Sequence, residues 1–123
     1  MDALKSVNYP HTKSIRIWKA GAQDEGVRAI CEYAKTCQNL LILELLDNEI
    51  TKLGCEFLSR ILTPEAKLNL QVLKLDHNNF GSAGVIHLAE GLCQNKVLTH
   101  ISLTYCNIDA SGSRALFEIL IYQ

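Results

Sequence analysis

Leu70-x-x-Leu73-x-Leu75-x-x-Asn78-x-Phe80-x-x-x-Gly84-x-x-x-Leu88-x-x-x-Leu92 is the stretch that decides how this chain folds. Leu73-Lys74-Leu75 alternates apolar and polar residues with the period of a strand. From Gly84 to Leu92 the marked residues recur four apart, which places them on one face of a helix. A single strand–helix unit of this kind cannot bury its own apolar face and needs copies of itself on either side.

The copies are present. Leu40, Leu43, Leu45, Asn48, Ile50, Gly54, Leu58 and Leu62 repeat the pattern upstream, and Leu98, Ile101, Leu103, Cys106, Ile108, Gly112, Leu116 and Leu120 repeat it downstream. A weaker copy opens the series with Thr12, Ile15, Ile17, Ala20, Ala22, Gly26, Ile30 and Ala34. The expected units are 12–39, 40–69, 70–97 and 98–123, preceded by a leader at 1–11 that reads as a rudimentary cap.

This pattern resembles the leucine-rich repeat family. The spacing of about 28 residues, the full helix and the Asn/Cys exchange at Asn48, Asn78 and Cys106 are similar to the ribonuclease-inhibitor-like subclass. Related repeats occur in NOD-like receptors and in the GTPase-activating protein of the nuclear-transport GTPase Ran. The resemblance implies an α/β fold: a right-handed leucine-rich-repeat solenoid of four β-α repeats in a short horseshoe arc. The parallel sheet is expected on the concave side and the helices on the convex side. Strands stack about 4.8 Å apart and helices roughly 8 to 10 Å apart, so the stack must curve towards its strands. The family shares an architecture and not a chemistry.

Size and composition narrow the function. A chain of 123 residues with 48% apolar residues makes one domain with one continuous core. A net charge of -1 gives no electrostatic footprint for nucleic acid or an anionic membrane. The first residues lack the apolar run of a signal peptide, and no segment reaches membrane-spanning length. A cytoplasmic location is expected, and the odd number of cysteines, none in a C-x-x-C pair, agrees with it. Cys31, Cys55 and Cys93 fall in or at the end of helical patterns and read as small apolar fillers.

Local chemistry marks the joints. Thr51 stands where a helix N-cap belongs, with Gly81 and Asp109 in the same column and the poor cap Gln23 in the first unit. Ile50 with Cys55, and Phe80 with Val85, have the spacing of a hydrophobic staple. In this family the Asn at the strand exit bonds turn backbone, so Ala20 implies a less well tied first turn. Pro64 ends a helix within the segment 63–67, which contains this unit's two extra residues and should bulge on the outer rim. Gly26, Gly54, Gly84 and Gly112 recur at helix starts as packing positions. Unit four closes with Leu116, Ile119, Leu120, Ile121 and Tyr122, with Val97, Leu98, Ile101 and Leu103 along its strand, an edge that a second copy, a larger partner or, in a fragment, the missing repeats are expected to cover.

Candidate binding residues follow from the alternation of the strands. One hollow-facing column is Arg16, Glu44, Lys74 and Ser102, with Arg16–Glu44 and Glu44–Lys74 as opposite-charge neighbours. It serves either as a solvated ladder or to orient a partner. The next is Trp18, Leu46, Asp76 and Thr104. Trp18, the only Trp, is either a partner anchor or covered by the leader. A third column holds Lys19, Asp47, His77 and Tyr105, and a fourth Ser14, Ile42, Val72 and His100. Trp18, Ile42, Leu46 and Val72 together form an apolar patch.

His77, His100, Asp47 and Asp76 could be imagined as a metal cluster, but nothing fixes their spacing as ligands. No catalytic or phosphate-binding motif occurs. The reading is a non-enzymatic protein-interaction module without a cofactor, binding a protein through Arg16, Trp18, Ile42, Glu44, Leu46, Asp47, Val72, Lys74, Asp76, His77, Thr104 and Tyr105. Two alternatives stand beside it. One is a structural subunit of a larger cytoskeletal or ciliary assembly, or a piece of a longer receptor-type array. The other is a GTPase-activating-protein-like regulator, for which Arg16 is the strand-face arginine.

Overall fold

A computed structural model describes residues 11–122, with side chains through residue 118. The expected cap at 1–11 lies, but for His11, outside the described residues. The order of elements is β1 (Ser14–Arg16), α1 (Gln23–Ala34), β2 (Ile42–Glu44), α2 (Lys52–Leu62), a 3-10 turn (Pro64–Ala66), β3 (Val72–Lys74), α3 (Gly81–Leu92), β4 (His100–Ser102) and α4 (Ala110–Tyr122). The strands form one parallel sheet in chain order. The helices pack in series, α1 on α2, α2 on α3 and α3 on α4. This is the α/β solenoid that the repeats imply.

The register places Ser14, Ile42, Val72 and His100 side by side, then Ile15, Leu43, Leu73 and Ile101, then Arg16, Glu44, Lys74 and Ser102. The strands are shorter than the alternation suggests. Single bonds carry the ladder on, from Ile17 N to Glu44 O and from Lys19 N to Leu46 O. The chain then turns into left-handed backbone at Lys19, Asp47, His77 and Tyr105, with φ of 52°, 55°, 63° and 58°. Extended pairing cannot continue through that conformation.

The core lies between sheet and helices. Leu43, Leu45, Leu73 and Leu75 project into it and meet Val27, Leu58, Val85 and Leu88, all fully buried. Each such leucine contributes roughly 1.5–3 kcal/mol relative to exposure. The closest helix approach is at Gly91, where an added Cβ would stand 2.8 Å from Ser59 Cα and press on its carbonyl. At Gly54 and Gly112 an added Cβ would meet both the preceding unit and the unit's own Ile50 or Ile108. At Gly26 and Gly84 it would meet the unit's own Ala22 or Phe80, so those two are packing positions within a turn rather than between units.

Asn48 and Asn78, both fully buried, tie successive units together. Asn78 Nδ2 donates to Leu45 O at 2.7 Å and Leu75 O at 2.9 Å, while its Oδ1 accepts from Asn48 N at 2.8 Å and Ile50 N at 3.2 Å. Asn48 Nδ2 reaches Ile17 O at 2.7 Å, and its Oδ1 accepts from Ala20 N at 3.0 Å. The first turn is therefore tied after all, because the amide of the following unit supplies what Ala20 cannot. Cys106 donates through Sγ to Leu75 O at 3.2 Å.

Helix starts are also shared between units. Thr51 Oγ1 accepts from Leu53 N, as an N-cap should. Asp24, one unit earlier, adds to it: its Oδ1 accepts from Thr51 N at 2.8 Å and Gly54 N at 3.0 Å, and its Oδ2 from the Thr51 hydroxyl. In the last two units Asp109 caps α4 through Ser111 N, and Ser82 Oγ both donates to Asp109 Oδ1 and accepts from Asp109 N. These bonds hold the Asp109 carboxyl down at about 2. Gly81 does not cap α3. It is the first helical residue, with φ of 67°, and Phe80 before it makes no side-chain cap.

Unit four is less covered than its neighbours. Leu98, Ile101, Leu103, Ile108 and Leu116 are half-buried, whereas Leu70, Leu73, Leu75, Phe80 and Leu88 in the same columns are buried. Phe117 is exposed. The remaining apolar residues of that expected edge, 119–122, lie outside the described side chains. Among the cysteines, Cys31 and Cys55 are core residues, whose burial raises both thiols, Cys31 to about 12. Cys93 is exposed, so it is not the filler its helical position suggested.

Candidate strand-face interaction site

The strand face is built by alternation: with Leu43 and Leu73 inward, residues 42, 44, 72 and 74 must point the other way. Its N-terminal corner is fixed by one carboxylate. Glu44 is only 7% exposed. Its Oε2 accepts from Arg16 Nε at 3.3 Å and its Oε1 from Trp18 Nε1 at 3.1 Å. Arg16 also donates through a second nitrogen to Ser14 Oγ at 3.1 Å. The opposite-charge pair Arg16–Glu44 is formed; among the described residues Glu44 is not ion-paired with Lys74.

Trp18 is 58% exposed, with its indole N–H turned down onto Glu44. What it offers outward is therefore ring surface without an unmet donor. Leu46 stands in the same column, and Ile42 and Val72 lie in register on the neighbouring strands. All three are half-buried, so they form the floor beside the indole rather than protruding. Glu44, expected as an accessible contact, sits beneath Arg16 and Trp18 and acts as their support.

At the other end Asp76 does similar work. Its Oδ1 accepts from Ser102 Oγ at 2.7 Å and Thr104 N at 2.6 Å, fastening β4 to β3. It is half-buried, where a free solvent-facing carboxylate was expected. Thr104 itself is exposed. Along the strand-exit rim, His77 and Tyr105 stack with ring centroids 4.9 Å apart and planes inclined by 22°. Tyr105 is 76% exposed and Asp47 is exposed beside them in the same column.

The sequence columns thus come together on one face, but three features were not foreseen. The Trp18–Glu44 bond joins two different columns, and strand alternation alone does not show diagonal contacts. The His77–Tyr105 stack was signalled by adjacency in one column. The insertion at 63–67 opens a cavity of about 340 Å³, lined by Pro64, Leu68 and Val97 among others, where only a bulge was expected. Among the described residues no group of three or more His, Cys, Asp or Glu is placed to hold a metal ion. Among them, too, no helix is long and apolar enough to cross a membrane.

Comparison with known proteins agrees with this architecture. The Leucine Rich repeat family matches residues 36–59, 66–89 and 94–117. The chain is similar to human NACHT, LRR and PYD domains-containing protein 13, at 30% identity over 107 residues, 86% of this chain and 10% of that protein. It is similar to human NACHT, LRR and PYD domains-containing protein 5 at 35% identity over 97 residues, 76% of this chain and 8% of that protein. The mouse protein of the same name is also 35% identical, over 96 residues. The chain therefore spans about a tenth of the length of these curated relatives.

Proposed function

This chain belongs to the leucine-rich repeat family, and on that premise we propose that it is a non-enzymatic module that binds another protein on its strand face. The observation that carries the reading is the corner made by Trp18 and Glu44. A buried carboxylate holds the indole in one orientation, with its ring surface outward beside Leu46. Large aromatic surface presented at low conformational cost is what interface anchors provide. Tyr105, stacked on His77, supplies a second such surface at the far rim. Arg16, the residue a GTPase-activating role would call on, is bonded to Glu44 and Ser14, which supports the non-enzymatic reading. Cys31, Cys37, Cys55 and Cys106, buried and outside any disulfide, support a cytoplasmic setting.

The test is site-specific photo-crosslinking in an extract of the native source. A benzophenone side chain at Ser102, on the strand floor, should give a discrete protein adduct. The same group at Ile86, exposed on α3, should not. Adducts from position 86 alone would overturn the assignment of the face.

A second reading concerns the end of the stack. The half-buried Leu98, Ile101, Leu103 and Leu116 support a role for this face in receiving a further repeat or another chain. The small share of each relative that the chain spans supports the same reading. Sedimentation of the 123-residue chain at micromolar concentration tests it: self-association is expected, and a stable monomer in which Ile101–Thr104 exchange their amides slowly would sink it.

A further inference from the structure

The charges on the strand floor are unequally answered. Glu44 has one oxygen bonded by Arg16 and the other by Trp18. Asp76 is held by Ser102 Oγ and Thr104 N. Lys74 lies in register between Glu44 and Ser102 and is half-buried. Among the described residues its ammonium has no ion pair and no hydrogen bond. Val72 flanks it on its own strand, and Ile42 and Leu46 flank Glu44 on the next. A cation thus stands on the floor beside an apolar run that ends at Trp18.

A partner lying on this face removes water from Lys74. An ammonium buried without a counter-charge is costly, and Glu44 is already shared by two donors. Any partner that covers this floor closely must therefore bring an acceptor of its own, and a carboxylate answers the charge fully.

Resting on the strand-face reading above, we propose that the partner is an acidic–apolar segment in extended conformation. One Asp or Glu side chain meets Lys74, and an apolar side chain fills the corner between Trp18 and Leu46. Lys74 and Trp18 are two strands apart across the sheet and two residues apart along it. With strands about 4.8 Å apart and a rise of about 3.3 Å per residue, the separation is roughly 12 Å. Three to four residues of extended chain span that distance, which sets the spacing between the acid and the apolar residue.

The probe is a phage-displayed library of random linear peptides panned on the 123-residue chain, with selected peptides measured by calorimetry. An Asp or Glu three or four residues from a Trp, Phe, Leu or Ile is expected in them. Lys74→Glu should weaken binding at least tenfold. Changing the peptide acid to Lys should restore affinity for the Lys74→Glu chain, a recovery that a folding defect cannot produce. Peptides without the acid, unchanged affinity for Lys74→Glu, no recovery in the swap, or no binding peptide at all overturns the proposal. If acid-free peptides still lose affinity with Trp18→Ala, the strand face stands and only the acidic motif fails. If peptides bind equally to Trp18→Ala and Lys74→Glu, both fail.

Discussion

The side-chain carbonyl of Asn78 accepts the backbone N–H of Asn48 at 2.8 Å, so the amide of one unit completes the turn of the unit before it. The same oxygen takes Ile50 N, and the Asn78 amide nitrogen takes Leu45 O and Leu75 O. A buried donor or acceptor left unpaired costs about 1–3 kcal/mol. Asn78→Ala is therefore expected to lose more than about 3 kcal/mol in urea unfolding. Asp76→Ala removes bonds to only Ser102 and Thr104 from a half-buried site and should lose about 1 kcal/mol. Equal midpoint shifts would contradict this ranking.

Gly91→Ala is expected to destabilise. On an ordinary exposed helix the change would stabilise by roughly 0.8–1 kcal/mol through helix propensity. Here the new methyl meets the Ser59 backbone, which cannot swing aside, and overpacking of this kind costs about 1–3 kcal/mol. A rise in melting temperature would show that α2 and α3 can separate freely.

Trp18→Ala should lower the unfolding free energy by about 0.5–1.5 kcal/mol, because it takes one hydrogen bond from the nearly buried Glu44 and little packing from an exposed ring. Glu44→Ala should leave the indole N–H without its carboxylate and release the ring. Acrylamide quenching of the single Trp is expected to increase in that variant. Unchanged quenching would mean that Glu44 does not hold the indole.

The pH dependence of the last helix has a definite sign. Asp109 is depressed from 3.8 to about 2, chiefly by the hydroxyl of Ser82, with the hydroxyl and N–H of Ser111 adding to it. A depressed carboxylate stabilises the fold above its unfolded value and loses that contribution as pH falls through its folded value. Wild type should melt above Asp109→Ala at neutral pH. The gap should narrow between about pH 4 and pH 2. A gap that persists unchanged below pH 2 would assign the effect to something other than the carboxylate.

Thiol labelling separates the cysteines. Cys93 is exposed, while Cys31 and Cys55 are buried with raised thiol values. Iodoacetamide at pH 8 should modify Cys93 first in the native chain, with Cys31 and Cys55 reacting only on unfolding. Early modification of Cys55 would contradict its place in the core.

The inward columns were legible because they repeat: Leu43, Leu73 and their neighbours occupy equivalent places, so one correct reading is copied along the chain. The register was legible for the same reason, and Arg16, Glu44, Lys74 and Ser102 do stand side by side. What lies on the outer face was less legible, because it depends on where long side chains reach. Glu44 reaches diagonally to Trp18, and Asp76 crosses to the next strand, so both are bonded supports instead of free charges. Cys93 shows another limit. Helical spacing assigns a side, but burial there also needs a neighbouring element to cover it.

The shared helix caps bear on how such a chain can be lengthened or shortened by recombination. Asp24 serves the second helix and Ser82 the fourth, yet among the described residues nothing equivalent passes from the second unit to the third. Lys52 stands in the column of Asp24 and Ser82, and its ammonium, which can only donate, cannot accept from the N–H groups at the start of α3. The interchangeable module is therefore a pair of units and not one. Excising a whole pair leaves each surviving helix start with its own donor or acceptor set. Excising the second unit sets Asp24 beside Gly81, and excising the third sets Asp109 beside Lys52, partners they were not made for. Crossovers that respect the doubled period should be tolerated more often than those that do not.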